Sequence, residues 1–206
     1  MKERPILFSA PMVRALLAGT KTQTRRAVKP QPVYADVAGA FASWQFHRKG
    51  GGTWLWPNAR EDVLASCPYG QPGDRLWVRE TYTMAERLMS LVKTPCYKAD
   101  EGITENNRMP DGSWPWKWTP AIHMFRAHSR LTLEIVSVRV ERLQDISEAD
   151  AMAEGCPDPL TRPIAPATIC YATARTEYMA VWEKINGGGS WAANPWVWVV
   201  AFKRVP

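Results

Sequence analysis

Residues 130–143, RLTLEIVSVRVERL, decide the fold. Leu131, Leu133 and Ile135 share one parity along this run, while Val136, Val138 and Val140 share the other. Successive strand residues point to opposite faces, so apolar character that changes parity without a break requires one extra residue near Ile135–Val136. Such a bulge bends a strand and is a device that closed sheets use. The run therefore predicts a long bent strand in a small, curved or closed sheet.

Reading outward, the other elements fit that centre. RPILFSAPMVRALLAG, residues 4–19, reads as a short strand at Ile6–Phe8 followed by a helix. Ser9 suits the N-cap and Pro11 the first turn; Met12, Ala15 and Leu16 make the apolar stripe, and Gly19 suits the position just past the end. TQTRRAV, residues 22–28, has β-branched content and stops at Pro30 and Pro32. PGDRLWVRET, residues 72–81, is a turn and then a half-buried strand. DISEADAMAEG, residues 145–155, predicts a short helix with Ser147 as N-cap, Asp150 at N3, an Ile146–Ala151 staple and Gly155 as terminator. A second helix is expected over about 172–186 with Tyr178, Val181, Trp182 and Ile185 as its buried face. PWVWVVAFKRV, residues 195–205, is apolar on both parities and predicts a strand buried on both faces. Residues 35–72 and 101–121 read as loop, the first for its GGG and prolines, the second for Trp114, Trp116 and Trp118 among prolines. The order of elements gives an α+β domain spanning residues 1–206, because apolar strands run from one end to the other.

Composition narrows the function. The chain is 46% hydrophobic and 22% charged, which excludes a disordered protein. No apolar run approaches the roughly 18 residues of a membrane span. The N-terminal segment is too short and interrupted for a secretory leader, so a cytoplasmic location is expected. Cys67, Cys96, Cys156 and Cys170 show no C-x-x-C pairing and are expected as reduced thiols. His47, His123 and His128 share no motif, and neither a metal nor a cofactor is expected. A net charge of +6 favours an anionic partner, nucleic acid or a phosphorylated small molecule. The eleven tryptophans are either core or stacking surfaces for bases.

LLAGTKTQTRR, then PGDRLWVRET, then the long strand running into DISEADAMAEG, then NPWVWVVAFKRV, resembles the ASCH domain proteins, relatives of the PUA-like β-barrels. The resemblance covers nearly the whole chain and is nearer to the long tryptophan-rich forms carried by bacteriophages and prophages. It implies a barrel core with flanking helices and two large insertions, at about 35–68 and 84–128. It implies one of three activities. These are hydrolysis of the acyl amide of N4-acetylcytidine or a related small amide, binding of RNA or a modified nucleotide, and metal-independent RNA cleavage. For the hydrolase branch it implies a catalytic lysine and threonine from G-x-K-T-x-T, here Lys21 and Thr24. The accompanying glutamate falls on Glu154, with Glu148 one turn away as the alternative.

The chemistry makes its own demands. Amide hydrolysis needs a nucleophile, a base and a donor for the developing oxyanion. A lysine serves as base only as a neutral amine, which burial or neighbouring cations such as Arg25 and Arg26 would favour. On a straight strand Lys21 and Thr24 face opposite sides, so they converge only if the chain bends between them, for which the Gly19 turn gives an opening. Glu154 sits against the helix dipole, a cost of about 0.3–1 kcal/mol that marks it as unusual. Arg26, with Arg25 beside it, is expected to bind substrate, since a guanidinium forks onto a phosphate or base carbonyl. Glu80 either touches a nucleobase amine or forms a cross-strand pair with Arg25 or Arg79. Trp77 either stacks on a base or fills core.

Overall fold

The computed structural model describes residues 1–86, 93–100, 117–156 and 173–205. Its centre is a mixed five-stranded sheet. Strand β1 (Glu3–Leu7) runs parallel to β6 (Arg75–Arg79), which pairs with β9 (Thr132–Arg142). β9 pairs with β10 (Trp196–Val205), and β10 with β2 (Gln23–Ala27). The spatial order is thus β1-β6-β9-β10-β2. The bulge expected in residues 130–143 is present. Ala201 pairs with Ser137 and Phe202 with Ile135, which leaves Val136 unpaired and 53% exposed.

The bulge does not close the sheet. Among the described residues β1 and β2 remain unpaired edges, so the anticipated barrel is an open α+β sheet as far as backbone pairing goes. One side-chain bond spans the gap, from Arg26 Nη2 to the Leu7 carbonyl oxygen at 2.6 Å.

Helix α1 (Ala10–Leu17) follows β1, with Ser9 extended at the N-cap and Pro11 in the first turn. Its buried residues are Val13 and Leu16, with Ala15 only half-buried. Helix α3 (Glu148–Ala153) has the expected cap, the Asp150 N–H donating to Ser147 Oγ at 3.0 Å. Helix α4 (Ala174–Asn186) is capped by Thr173, whose side chain accepts from the Thr176 N–H. Its face differs from expectation. Tyr178 and Trp182 are buried, but Val181 is 39% and Ile185 53% exposed.

The region read as loop at 35–72 is instead a second sheet. β3 (Val33–Val37), β4 (Phe41–His47) and β5 (Thr53–Trp56) form an antiparallel meander, followed by α2 (Arg60–Ala65). The triple glycine supplies the positive φ angles of the β4–β5 turn, and its presence disguised the alternation on either side. Phe46 and the indoles of Trp44 and Trp56 lie 5.4–5.7 Å from the Trp196 ring, fastening this sheet to the main one. Ahead of the second loop reading, strand β8 (Lys93–Tyr97) pairs with β7 (Tyr82–Glu86). Trp114, Trp116 and Cys170 lie outside the described residues.

β10 divides the core by parity. Trp196, Trp198, Val200 and Phe202 pack with Leu76, Leu133, Ile135 and α1 on one face. Val197 and Val199 pack with Ile146, Ala151, Tyr178 and Trp182 on the other. Each fully buried aliphatic contributes about 1.5–3 kcal/mol, which makes this two-faced strand the backbone of the domain. No described helix is long and apolar enough to cross a membrane.

Candidate functional site

The site begins where α1 ends. Gly19 takes a left-handed φ of 77°, and the N–H groups of Thr20 and Lys21 both donate to the Ala15 carbonyl, at 3.0 and 3.1 Å. The chain is therefore still turning at Lys21, and β2 starts only at Gln23. This is the bend that the parity argument required. Lys21 forms an isolated antiparallel bridge with Glu154, and the Thr22 N–H donates to the Ala153 carbonyl at 2.8 Å. The backbone thus pins the end of α3 to the entrance of β2 before any side chain is considered.

The side chains complete the junction. Lys21 Nζ donates to Glu154 Oε2 at 2.7 Å and to the Glu154 carbonyl at 2.8 Å. Arg25 Nη1 donates to Glu154 Oε1 at 3.3 Å, so one carboxylate is shared by two cations. Arg25 also meets Glu141 Oε1 at 2.6 Å and Asp150 Oδ2 at 3.1 Å. Arg139 bonds the second oxygen of Glu141 at 2.9 Å and Asp150 Oδ1 at 2.8 Å. Gln23 Nε2 donates to Asp150 Oδ1 at 2.9 Å. Three cations and three carboxylates form one connected network, the arrangement that makes charge tolerable out of water.

The network sets protonation. Burial drives the Lys21 pKa down; Glu154 pulls it back and Arg26 adds to the fall, leaving it below the ordinary lysine value. Burial also works against the Arg25 charge, but Glu154 and Glu141 outweigh it and raise its pKa. Burial alone would raise Asp150; the Gln23 hydrogen bond and the Arg25 and Arg139 charges overcome it and hold the carboxyl at about 2.

Against this network lies an open pocket of about 360 Å³ including its mouth, between β2 and α4. Thr24, Arg25, Arg26 and Glu154 line its polar side. Thr24 is 1% exposed and pairs with Val200 of β10. Met12, Val181 and Ile185 line the apolar side, which accounts for the exposed residues of α4. Tyr178 and Trp182 also line the pocket. Lys21 is not in the lining; its side chain has no exposed surface and stands behind Glu154.

The structure thus gathers Lys21, Thr24, Arg25, Arg26 and Glu154. The neighbouring Glu148 accepts from the Arg175 N–H at 3.2 Å on the exposed side of α3. Arg26 Cζ lies 5.4 Å from the Phe8 ring centroid, and Lys21 Nζ 5.5 Å from the same ring. Glu80 and Trp77 do not line this pocket. Glu80 is 1% exposed and accepts both arms of a fork from Arg130, at 2.9 and 3.0 Å. Burial raises the Glu80 pKa despite that partner. The ion-pair alternative for Glu80 therefore describes its contacts, with Arg130 in place of Arg25 or Arg79. Trp77 is half-buried with the Arg79 guanidinium 5.4 Å from its ring centroid.

Sequence reasoning missed Gln23, Glu141 and Asp150 as members of the network. The available signal was pairing of β2 and β9 on either side of β10: Arg25 and Arg139 share Val199 as partner, so both project to its face. Among the described residues no group of three His, Cys, Asp or Glu side chains could hold a metal ion. Compared with known proteins, the chain matches no family model, no curated protein and no solved structure.

Proposed function

We propose that the chain is an amidohydrolase of ASCH type, acting on an N4-acylated cytosine nucleoside such as N4-acetylcytidine or on a related small amide. In this reading the five-stranded sheet corresponds to the PUA-like barrel without its closing β1–β2 pairing, and the Arg26–Leu7 bond spans that gap. Residues 35–68 and 84–128 are the insertions. The observation that carries the reading is the meeting of Lys21 and Glu154, 133 residues apart in sequence, at 2.7 Å beside a pocket lined by Thr24.

Each group has a part. Thr24 Oγ1 attacks the acyl carbonyl carbon, and its proton passes to neutral Lys21. Collapse of the tetrahedral intermediate breaks the C–N bond, and the proton goes on to the departing exocyclic amine. Water then attacks the acyl-threonine, gives one proton back through Lys21 to Thr24 and releases the acid. Glu154 orients the amine, and Arg26 is the binding cation. The lowered Lys21 pKa suits a base that must be neutral. Activity therefore rises with pH through the depressed lysine pKa.

The test is hydrolysis of N4-acetylcytidine followed by absorbance. Lys21→Ala should abolish turnover while circular dichroism stays native. Normal turnover by that variant would end the assignment.

One observation favours a second reading, a binding module for RNA or a modified nucleotide using the same cleft. The Lys21 side chain is wholly out of solvent and donates to two Glu154 oxygens, as a purely structural ion pair would. That reading predicts no turnover and RNA affinity that falls steeply with salt. Filter binding at low salt without retained RNA would remove it.

A further inference from the structure

Thr24 and the ion network lie on opposite faces of β2. Thr24 pairs with Val200 and Arg25 with Val199, so the two side chains leave the strand on opposite sides. Val200 belongs to the core that holds Phe8, and Val199 to the one that holds Tyr178. Lys21 Nζ and Arg26 Cζ lie 5.5 and 5.4 Å from the Phe8 ring centroid, whereas Arg25 Cζ lies 6.0 Å from that of Tyr178. Glu154 touches both sets: Oε2 accepts from Lys21 at 2.7 Å and Oε1 from Arg25 at 3.3 Å. The Arg25 side chain has no exposed surface, and its other two carboxylates are nearer, Glu141 of β9 at 2.6 Å and Asp150 of α3 at 3.1 Å. A guanidinium fork can hold several carboxylates in fixed directions, which a single ammonium cannot.

We propose that Arg25 is a positioning residue: from the far face of β2 it holds Glu154 Oε1, and so sets how firmly Glu154 grips the Lys21 amine. The inference rests on the amidohydrolase reading for its catalytic consequence, and it moves Arg25 from binding substrate to holding the carboxylate beside the base. Two cations share one carboxylate, so a stronger pull from Arg25 loosens the hold on Lys21. Glu141 and Asp150 offset the Arg25 charge and moderate that pull. Burial and Arg26 lower the Lys21 pKa; Glu154 is the largest influence raising it, with Cys156 adding a little, so control of Glu154 is control of the Lys21 proton. Arg25→Lys leaves an ammonium beside Glu141 and Asp150 and gives up the longest contact, Glu154. Lys21 then holds the carboxylate alone, and its pKa rises. Glu141→Gln removes an offsetting charge, Arg25 draws harder on Glu154, and the Lys21 pKa falls.

The experiment pairs a pH titration of the Lys21 side chain by lysine-labelled NMR with the pH profile of N4-acetylcytidine hydrolysis. Both are run on the unsubstituted chain, Arg25→Lys and Glu141→Gln, and Lys21→Ala identifies the Lys21 signal. The expected result is a Lys21 midpoint and an acid limb of kcat that move up in Arg25→Lys and down in Glu141→Gln. Arg25→Lys should also lose about 10–100-fold in kcat with KM changed only a few-fold, as for a base held out of place. A purely structural network would lower the melting temperatures and leave midpoints, limbs and kcat per folded molecule where they were. That result, or shifts of one sign in both variants, would overturn the inference. The Glu141 side chain is 18% exposed and glutamine keeps an acceptor toward Arg25, so this variant decides the question alone if Arg25→Lys does not fold. No turnover by the parent would end the amidohydrolase reading, while the Lys21 midpoints would still uphold or overturn the hold of Arg25 on Glu154.

Discussion

Asp150 shows how the network governs single residues. Its folded pKa of about 2 lies below the roughly 3.9 of an unfolded aspartate. Below pH ~4 the unfolded chain therefore binds more protons, and folding stability falls as pH falls. The contribution is complete above the unfolded pKa and is lost as pH drops through about 2. Asp150→Asn should lower stability at neutral pH and flatten this acid limb, measured by urea unfolding from pH 2 to 7. An acid limb unchanged by the substitution would assign the loss to other carboxylates. The pattern GTKTQTRR singled out Lys21 and Thr24 at this scale only through its resemblance, and the structure sets Lys21 on Glu154 and Thr24 in the pocket lining. Tyr178 was legible as an apolar helix position, and it is buried in the core beside Val197 and Val199.

At the scale of elements, the junction between α1, the entrance of β2 and the end of α3 decides the site. Gly155 stands at its closest point. Its φ is 92°, and a Cβ there would lie 2.9 Å from Ala15 Cβ and 3.3 Å from Lys21 Cβ. Gly155→Ala should cost about 1–3 kcal/mol and disturb the Lys21–Glu154 pair. Gly188→Ala, where nothing lies within 4 Å, is the control and should be near neutral. Equal stability of the two variants in chemical denaturation would show that the junction is looser than described. The helices were readable because their caps are local: Ser147 and Gly155 are separated from their partners by a few residues. The meander of β3, β4 and β5 was not, because its apolar side chains are scattered and find their common partner, Trp196, 140 residues from Trp56.

For the whole molecule, Trp196 joins the two sheets. It touches Trp44, Phe46 and Trp56 from one side, and the Arg142 guanidinium lies 5.7 Å from its ring. Trp196→Ala should destabilise the protein by about 3–5 kcal/mol. It should also speed amide hydrogen exchange in β3–β5 more than in β9 and β10. A uniform change across all strands would mean that the sheets unfold as one unit. Within the chain alone, residues 130–143 determined a bulged central strand and residues 195–205 a strand buried on both faces, since each follows from local parity. Only the tertiary structure decided that β1 and β2 are the edges of the sheet among the described residues, that Arg25 is a buried hub rather than a surface cation, and that Glu154 rather than Glu148 meets Lys21. Those outcomes depend on contacts between residues more than a hundred positions apart, whose pairing is set by packing across β10 and has no counterpart in local sequence.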